Sequence, residues 1–131
     1  MPSFLLLFLL PVLSSCNNNK IHYNIKEQMV KTCNRKPINN LYILNENEKI
    51  FFHFLKLPDK EGTNSFSLIS LNNDYRLKNL NRPVKFEEFK LEPKTEYKIS
   101  NSTFGDAASS EIKVRTGITA IIVYASSVSC E

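Results

Sequence analysis

Residues 95–100 read TEYKIS and residues 112–115 read IKVR. In both, apolar and charged side chains alternate: Tyr97 and Ile99 against Glu96 and Lys98, Ile112 and Val114 against Lys113 and Arg115. A period of two marks a strand with one face on a core and the other in water. Outward from this pair the chain breaks into short segments of the same kind. Residues 41–44 (LYIL) are a brief apolar run closed by Asn-Glu-Asn-Glu. Residues 50–57 (IFFHFLKL) are apolar on both faces, with Ile50, Phe52 and Phe54 on one and Phe51, Leu55 and Leu57 on the other, which predicts a central strand covered on both sides. Residues 58–62 (PDKEG) and 72–74 (NND) read as turns. Residues 66–71 predict a strand whose apolar phase slips between Leu68 and Ile69, as at a bulge or twist. Residues 84–90 alternate loosely, 104–110 read as a loop, and 118–124 as a final strand rich in β-branched residues. Upstream, 21–25 is a first strand or a lead-in, and 26–33 (KEQMVKTC) a helical turn or a strand. Short strands at this spacing, without a convincing amphipathic helix, predict an all-β antiparallel sandwich or small barrel.

Composition narrows the function classes. The chain has 131 residues and 42% hydrophobic side chains, enough for one packed domain. Three glycines leave little from which to build a Gly-rich phosphate loop. The net charge of +4 falls wholly beyond residue 16, because residues 1–16 carry no charged side chain. The basic residues are scattered, without a nucleic-acid motif, so no nucleic acid is expected as a partner. A mild cationic excess suits an acidic partner or an anionic surface, or is simply a solvated Lys-rich face.

The N-terminal run FLLLFLLPVL (4–13) is too short to span a bilayer as a helix, which needs about 20 residues. It matches the apolar region of a secretory signal. Leu13-Ser14-Ser15-Cys16 then resembles the lipobox of bacterial lipoproteins. That resemblance implies cleavage before Cys16, lipidation of Cys16, and several acyl chains holding a soluble domain on a membrane. Asn rather than Asp at position 17 implies, by the same resemblance, the periplasmic face of the outer membrane. The expected organisation is a signal at 1–15, a lipidated Cys and short polar tether at 16–20, and one domain at 21–131.

With Cys16 lipidated, Cys33 and Cys130 remain as a pair in an oxidising compartment, where a disulfide persists. It would close nearly the whole domain into one loop. No CxxC spacing or clustering of His and Cys along the chain indicates a metal, and no cofactor is expected.

Residues 91–117 (LEPKTEYKISNSTFGDAASSEIKVRTG) resemble the last third of a fibronectin type III domain. The pattern falls on Leu91, Pro93, Thr95, Tyr97, Ile99, Gly105 and residues 112–116. It implies an immunoglobulin/fibronectin III-like sandwich, with Tyr97 burying its ring and returning its hydroxyl to the preceding corner. The chain has no Trp, which that family packs in an early strand, and Phe52 or Phe54 is the expected substitute. The layout as a whole also resembles small periplasmic lipoproteins described as immunity proteins of type VI secretion systems: a lipobox, a short tether, an early domain Cys (Cys33), an all-β domain and a late Tyr-x-Ile strand (Tyr97, Ile99). This resemblance implies a protein partner, a secreted toxin acting in the periplasm. An envelope adaptor with a fibronectin-like module is the alternative.

Motifs for chemistry are few. His53 sits among phenylalanines and reads as structural, and His22 as solvated near the tether. The pairs Glu87-Glu88 and Glu46/Glu48 read as solvated faces, and none of the nucleophile, zincin or Walker motifs occurs. The expectation is a non-catalytic binding protein without a small-molecule substrate. Its loops at 56–64, 72–83 and 101–110 are candidate contact surfaces. Among them Tyr75, Arg76, Lys78 and Arg82 are the expected partner-binding residues, since Tyr and Arg anchor interfaces.

Overall fold

The computed structural model describes residues 19–45, 47, 49–103 and 109–130. The expected signal, Cys16 and part of the 104–110 loop lie outside them. Among the described residues, ten strands form two antiparallel sheets: β1 (Ile21–Asn24), β2 (Met29–Thr32), β3 (Asn40–Asn45), β4 (Ile50–Lys56), β5 (Ser65–Ser67), β6 (Tyr75–Asn79), β7 (Arg82–Pro83), β8 (Glu96–Ser102), β9 (Ser109–Thr116) and β10 (Ile122–Ala125). The small sheet has the order β1-β2-β5, and the large one β10-β9-β8-β3-β4-β6-β7. The protein is an all-β, antiparallel β-sandwich.

The alternation read at 95–100 and 112–115 holds residue by residue. Tyr97 and Ile99 pair with Val114 and Ile112 and are buried, while Lys98 pairs with Lys113 on the other face. The core joins these to Leu41, Ile43, Phe52, Phe54 and Leu77 of the large sheet and to Ile21, Tyr23, Val30 and Phe66 of the small one. Phe54 packs against Phe66 and Phe89, with ring centroids 4.8 and 5.3 Å apart, an aromatic cluster where a Trp was missing. The Tyr97 hydroxyl accepts a 2.7 Å hydrogen bond from the Glu92 backbone N–H, the corner that Leu91 to Tyr97 led one to expect.

Gln28 clamps the two sheets at one end. It is buried and holds a left-handed φ of 54°. Its Nε2 donates to the carbonyls of Ile25 and Ile122, and its Oε1 accepts from the Tyr23 hydroxyl and the Ile122 N–H. The four bonds reach β1, the β1–β2 turn and β10, so the amide is fully used across the interior. At the other end, the Ser127 carbonyl accepts from the Tyr23 N–H, and Cys33 and Cys130 form a disulfide with Cα atoms 5.6 Å apart.

Several segments differ from their sequence reading. Residues 26–33 are a turn and then β2, the strand alternative of the two readings. The strand expected at 66–71 stops at Ser67, whose Oγ accepts from the N–H groups of Ile69 and Ser70. The apolar slip is therefore a strand end rather than a bulge. The last strand starts at Ile122, because 118–120 form the β9–β10 turn and leave Ile118 exposed. Residues 84–90 carry a short 3-10 turn, Phe86–Glu88. Of the segment 16–20, residues 19 and 20 are described: Asn19 is buried, its carbonyl accepts from Asn101 Nδ2, and Lys20 Nζ donates to the Cys130 carbonyl. The entry segment bonds Asn101 Nδ2 and the Cys130 carbonyl, so residues 19 and 20 pack with the sandwich.

Candidate functional site

β4 lies in the middle of the large sheet, but only its inner face is buried. Phe52 and Phe54 point into the core, while Phe51, His53 and Leu55 lie half-buried on the outer face. No third layer covers that face among the described residues, and this corrects the expectation of a strand covered on both sides. Register then decides what surrounds the three. Tyr42 of β3 pairs with His53, and the rings stack at 4.3 Å. The Tyr42 ring also meets Phe51, 5.8 Å away. On the far side of β4, Lys78 pairs with His53 and Arg76 with Leu55. The alternation of β8 and β9 adds Lys98, Lys113 and Arg115, together with Glu96 and Glu111. An aromatic row, Phe51–Tyr42–His53, thus runs through a face with more cations than carboxylates. Arg115 stacks over the Tyr124 ring at its β10 margin, 5.1 Å from the centroid.

His53 Nε2 lies 2.9 Å from Asn40 Oδ1, and since an amide oxygen only accepts, Nε2 carries the proton. Burial, and secondarily the neighbouring Lys78, hold the imidazole below its ordinary pKa. His53 is therefore neutral at physiological pH and stacks without a charge of its own.

The structure divides the expected partner-binding residues. Arg76 is exposed and Lys78 half-buried, both on the outer face, and Arg82 is exposed on the edge strand β7. Tyr75 is a correction: it is 3% exposed and belongs to the core. Its hydroxyl donates to the Ile38 carbonyl at 2.6 Å and accepts from the Thr63 N–H at 3.0 Å, tying the 38–39 and 63–64 segments to β6. Burial raises its pKa. Adjacent strand residues point to opposite faces, so Tyr75 and Arg76 cannot both anchor one surface. The same closure accounts for Gly62, whose φ is +74° and where an added Cβ would lie 2.8 Å from the Tyr75 hydroxyl. Sequence reading missed Tyr42 as a surface residue; the signal was its polar partner on β8, Ser100, visible only with the register known.

A second cluster lies at the entry end of the small sheet. His22 Nδ1 is 3.3 Å from Cys130 Sγ and 3.7 Å from Cys33 Sγ. The three ligand atoms lie within 4.8 Å of one another. The chain separates these residues by up to 108 positions, so no sequence spacing announced the cluster. Burial, with Lys31 as the second cause, lowers the His22 pKa.

No family model, no curated protein and no solved structure matches this chain.

Proposed function

We propose that the chain is a membrane-anchored periplasmic lipoprotein, held through Cys16, that binds and neutralises a secreted protein toxin without catalysis. The observation that carries the binding part is the outer face of the large sheet: half-exposed Tyr42, Phe51 and His53 beside Arg76 and Lys78. Aromatic and Arg side chains at the centre, with cations toward the margin, are what a protein interface with an acidic partner requires. The rigid sandwich presents them without an ordering cost, which favours affinity.

The anchor part rests on the lipobox and on Asn19. Cys16 precedes that packed residue by three positions, so the lipid lies within about 10 Å of the entry end, at about 3.5 Å per residue.

The test is a competition assay. Cells lacking this gene face siblings that carry the neighbouring effector, complemented with the native chain, with Arg76→Glu/Lys78→Glu, or with the edge variant Arg82→Ala. Death of the deletion strain and of the face variant, with survival of the native and edge strains, supports the reading. A deletion strain that survives as well as the native strain refutes the immunity function and favours the adaptor alternative.

A further inference from the structure

We propose that, when the Cys33–Cys130 bond is reduced, His22, Cys33 and Cys130 form a three-ligand site for one thiophilic divalent cation of the zinc type. The geometry is close to assembled. Around tetrahedral zinc, with zinc–sulfur about 2.3 Å and zinc–nitrogen about 2.05 Å, each nitrogen–sulfur edge is about 3.6 Å and the sulfur–sulfur edge about 3.8 Å. The two His22–sulfur distances, 3.3 and 3.7 Å, bracket the first value already. Only the sulfur–sulfur edge must open, and breaking the bond does that. The backbone fixes the ligands from three sides: His22 in β1, Cys33 just past the β2 residue that pairs with Ile21, and Cys130 on the tail that Ser127 holds to β1. His22 and Cys33 are half-buried and Cys130 is exposed, so reductant and metal can both reach the sulfurs. Two thiolates and one imidazole suit a soft or borderline cation, with the fourth position left to water.

A dithiol reductant gives two electrons and two protons to the disulfide and becomes a disulfide itself, leaving two protein thiols. Metal binding then releases those two protons to solvent as the thiols become thiolates. The oxidised chain keeps its sulfurs bonded to each other, so metal uptake is conditional on reduction.

The experiment uses the full chain carrying Cys16→Ser, so that Cys33 and Cys130 are its only thiols. The protein is reduced with a phosphine, freed of reductant and titrated with zinc against a chromophoric chelator; cobalt serves as the spectroscopic probe. The expected result is one zinc per reduced chain, none per oxidised chain, and thiolate-to-cobalt charge-transfer absorption. His22→Ala should weaken zinc binding by about tenfold or more, since even the loss of a supporting residue around a metal costs that much. Zinc should raise the melting temperature of the reduced parent and not of His22→Ala. Should reduction alone unfold the chain, zinc must restore the β-sheet circular dichroism. Absence of zinc uptake by the reduced chain, failure of that restoration, or equal affinity in His22→Ala overturns the proposal.

Discussion

The two sheets solve different problems. The small sheet has three short strands, yet it carries the disulfide, the Gln28 clamp and the tail hydrogen bond from Tyr23 to Ser127. The large sheet has seven strands, and its ladder and core hold it without such staples, so its outer face is free to carry Tyr42, His53, Arg76 and Lys78. Three strands of four, four and three residues bury too little apolar surface to be secured by packing alone, and cross-links compensate. Stability is concentrated in one sheet's fasteners, and the proposed binding surface lies on the other's exposed face.

The largest effect separating the two sheets should come from the disulfide. Cys33 and Cys130 are 97 residues apart, and the chain-entropy model assigns a loop of that size about 4 to 5 kcal/mol. Cys33→Ser/Cys130→Ser should lose stability of that order in urea unfolding. Hydrogen exchange should locate the loosening in β1 and β2, and uniform loosening of both sheets would break the comparison.

Next comes the clamp. Gln28→Ala strands the buried Tyr23 hydroxyl and the Ile122 N–H, and should cost about 2 to 4 kcal/mol. Gln28→Glu separates shape from hydrogen bonding: a carboxylate keeps both acceptors but cannot donate to the Ile25 and Ile122 carbonyls. A smaller loss in Gln28→Glu than in Gln28→Ala would mean that the donors matter little. In the large sheet, Tyr97→Phe removes the corner bond to the Glu92 N–H and should cost about 1 kcal/mol. A loss as large as that of Gln28→Ala would show that the large sheet too depends on a single fastener.

The smallest effect is one of pH. His53 has a folded pKa below its ordinary 6.5, with Lys78, Tyr42 and Asn40 as its neighbours. Above 6.5 both folded and unfolded chains hold it neutral, and stability is full. As pH falls below 6.5 the unfolded chain takes up its proton first, so stability declines down to the folded pKa and then levels. His53→Asn should flatten part of that decline in melting temperature between pH 7 and 5. An unchanged profile would place the acid sensitivity elsewhere, with His22 the next group to replace.

What was legible in the sequence follows from period two. Where one face is polar, as in β8 and β9, alternation named the inward residues Tyr97, Ile99, Ile112 and Val114 correctly. The corner of Tyr97 was readable because Leu91 to Tyr97 is a local motif. Where both faces are apolar, as in β4, alternation cannot say which face meets the other sheet, and Phe51 and His53 were assigned to a covered strand. Tyr75 failed for a related reason: residues 72–83 look like a polar loop, but Tyr75 and Leu77 alternate with Arg76 and Lys78 as a strand, and the tyrosine takes the inward phase. The meeting of His22 with two cysteines, and the reach of Gln28 to Ile122, depend on long-range register, which no local pattern encodes.

The most direct test of the account is whether the outer face of the large sheet, and not the cationic edge, binds the toxin. The purified toxin should bind the native chain one to one. Arg76→Glu/Lys78→Glu should weaken that binding by at least about 2 kcal/mol, while its melting temperature stays within a degree or two of native, because both side chains lie outside the core. Toxin binding by this folded double variant at native affinity would contradict the account.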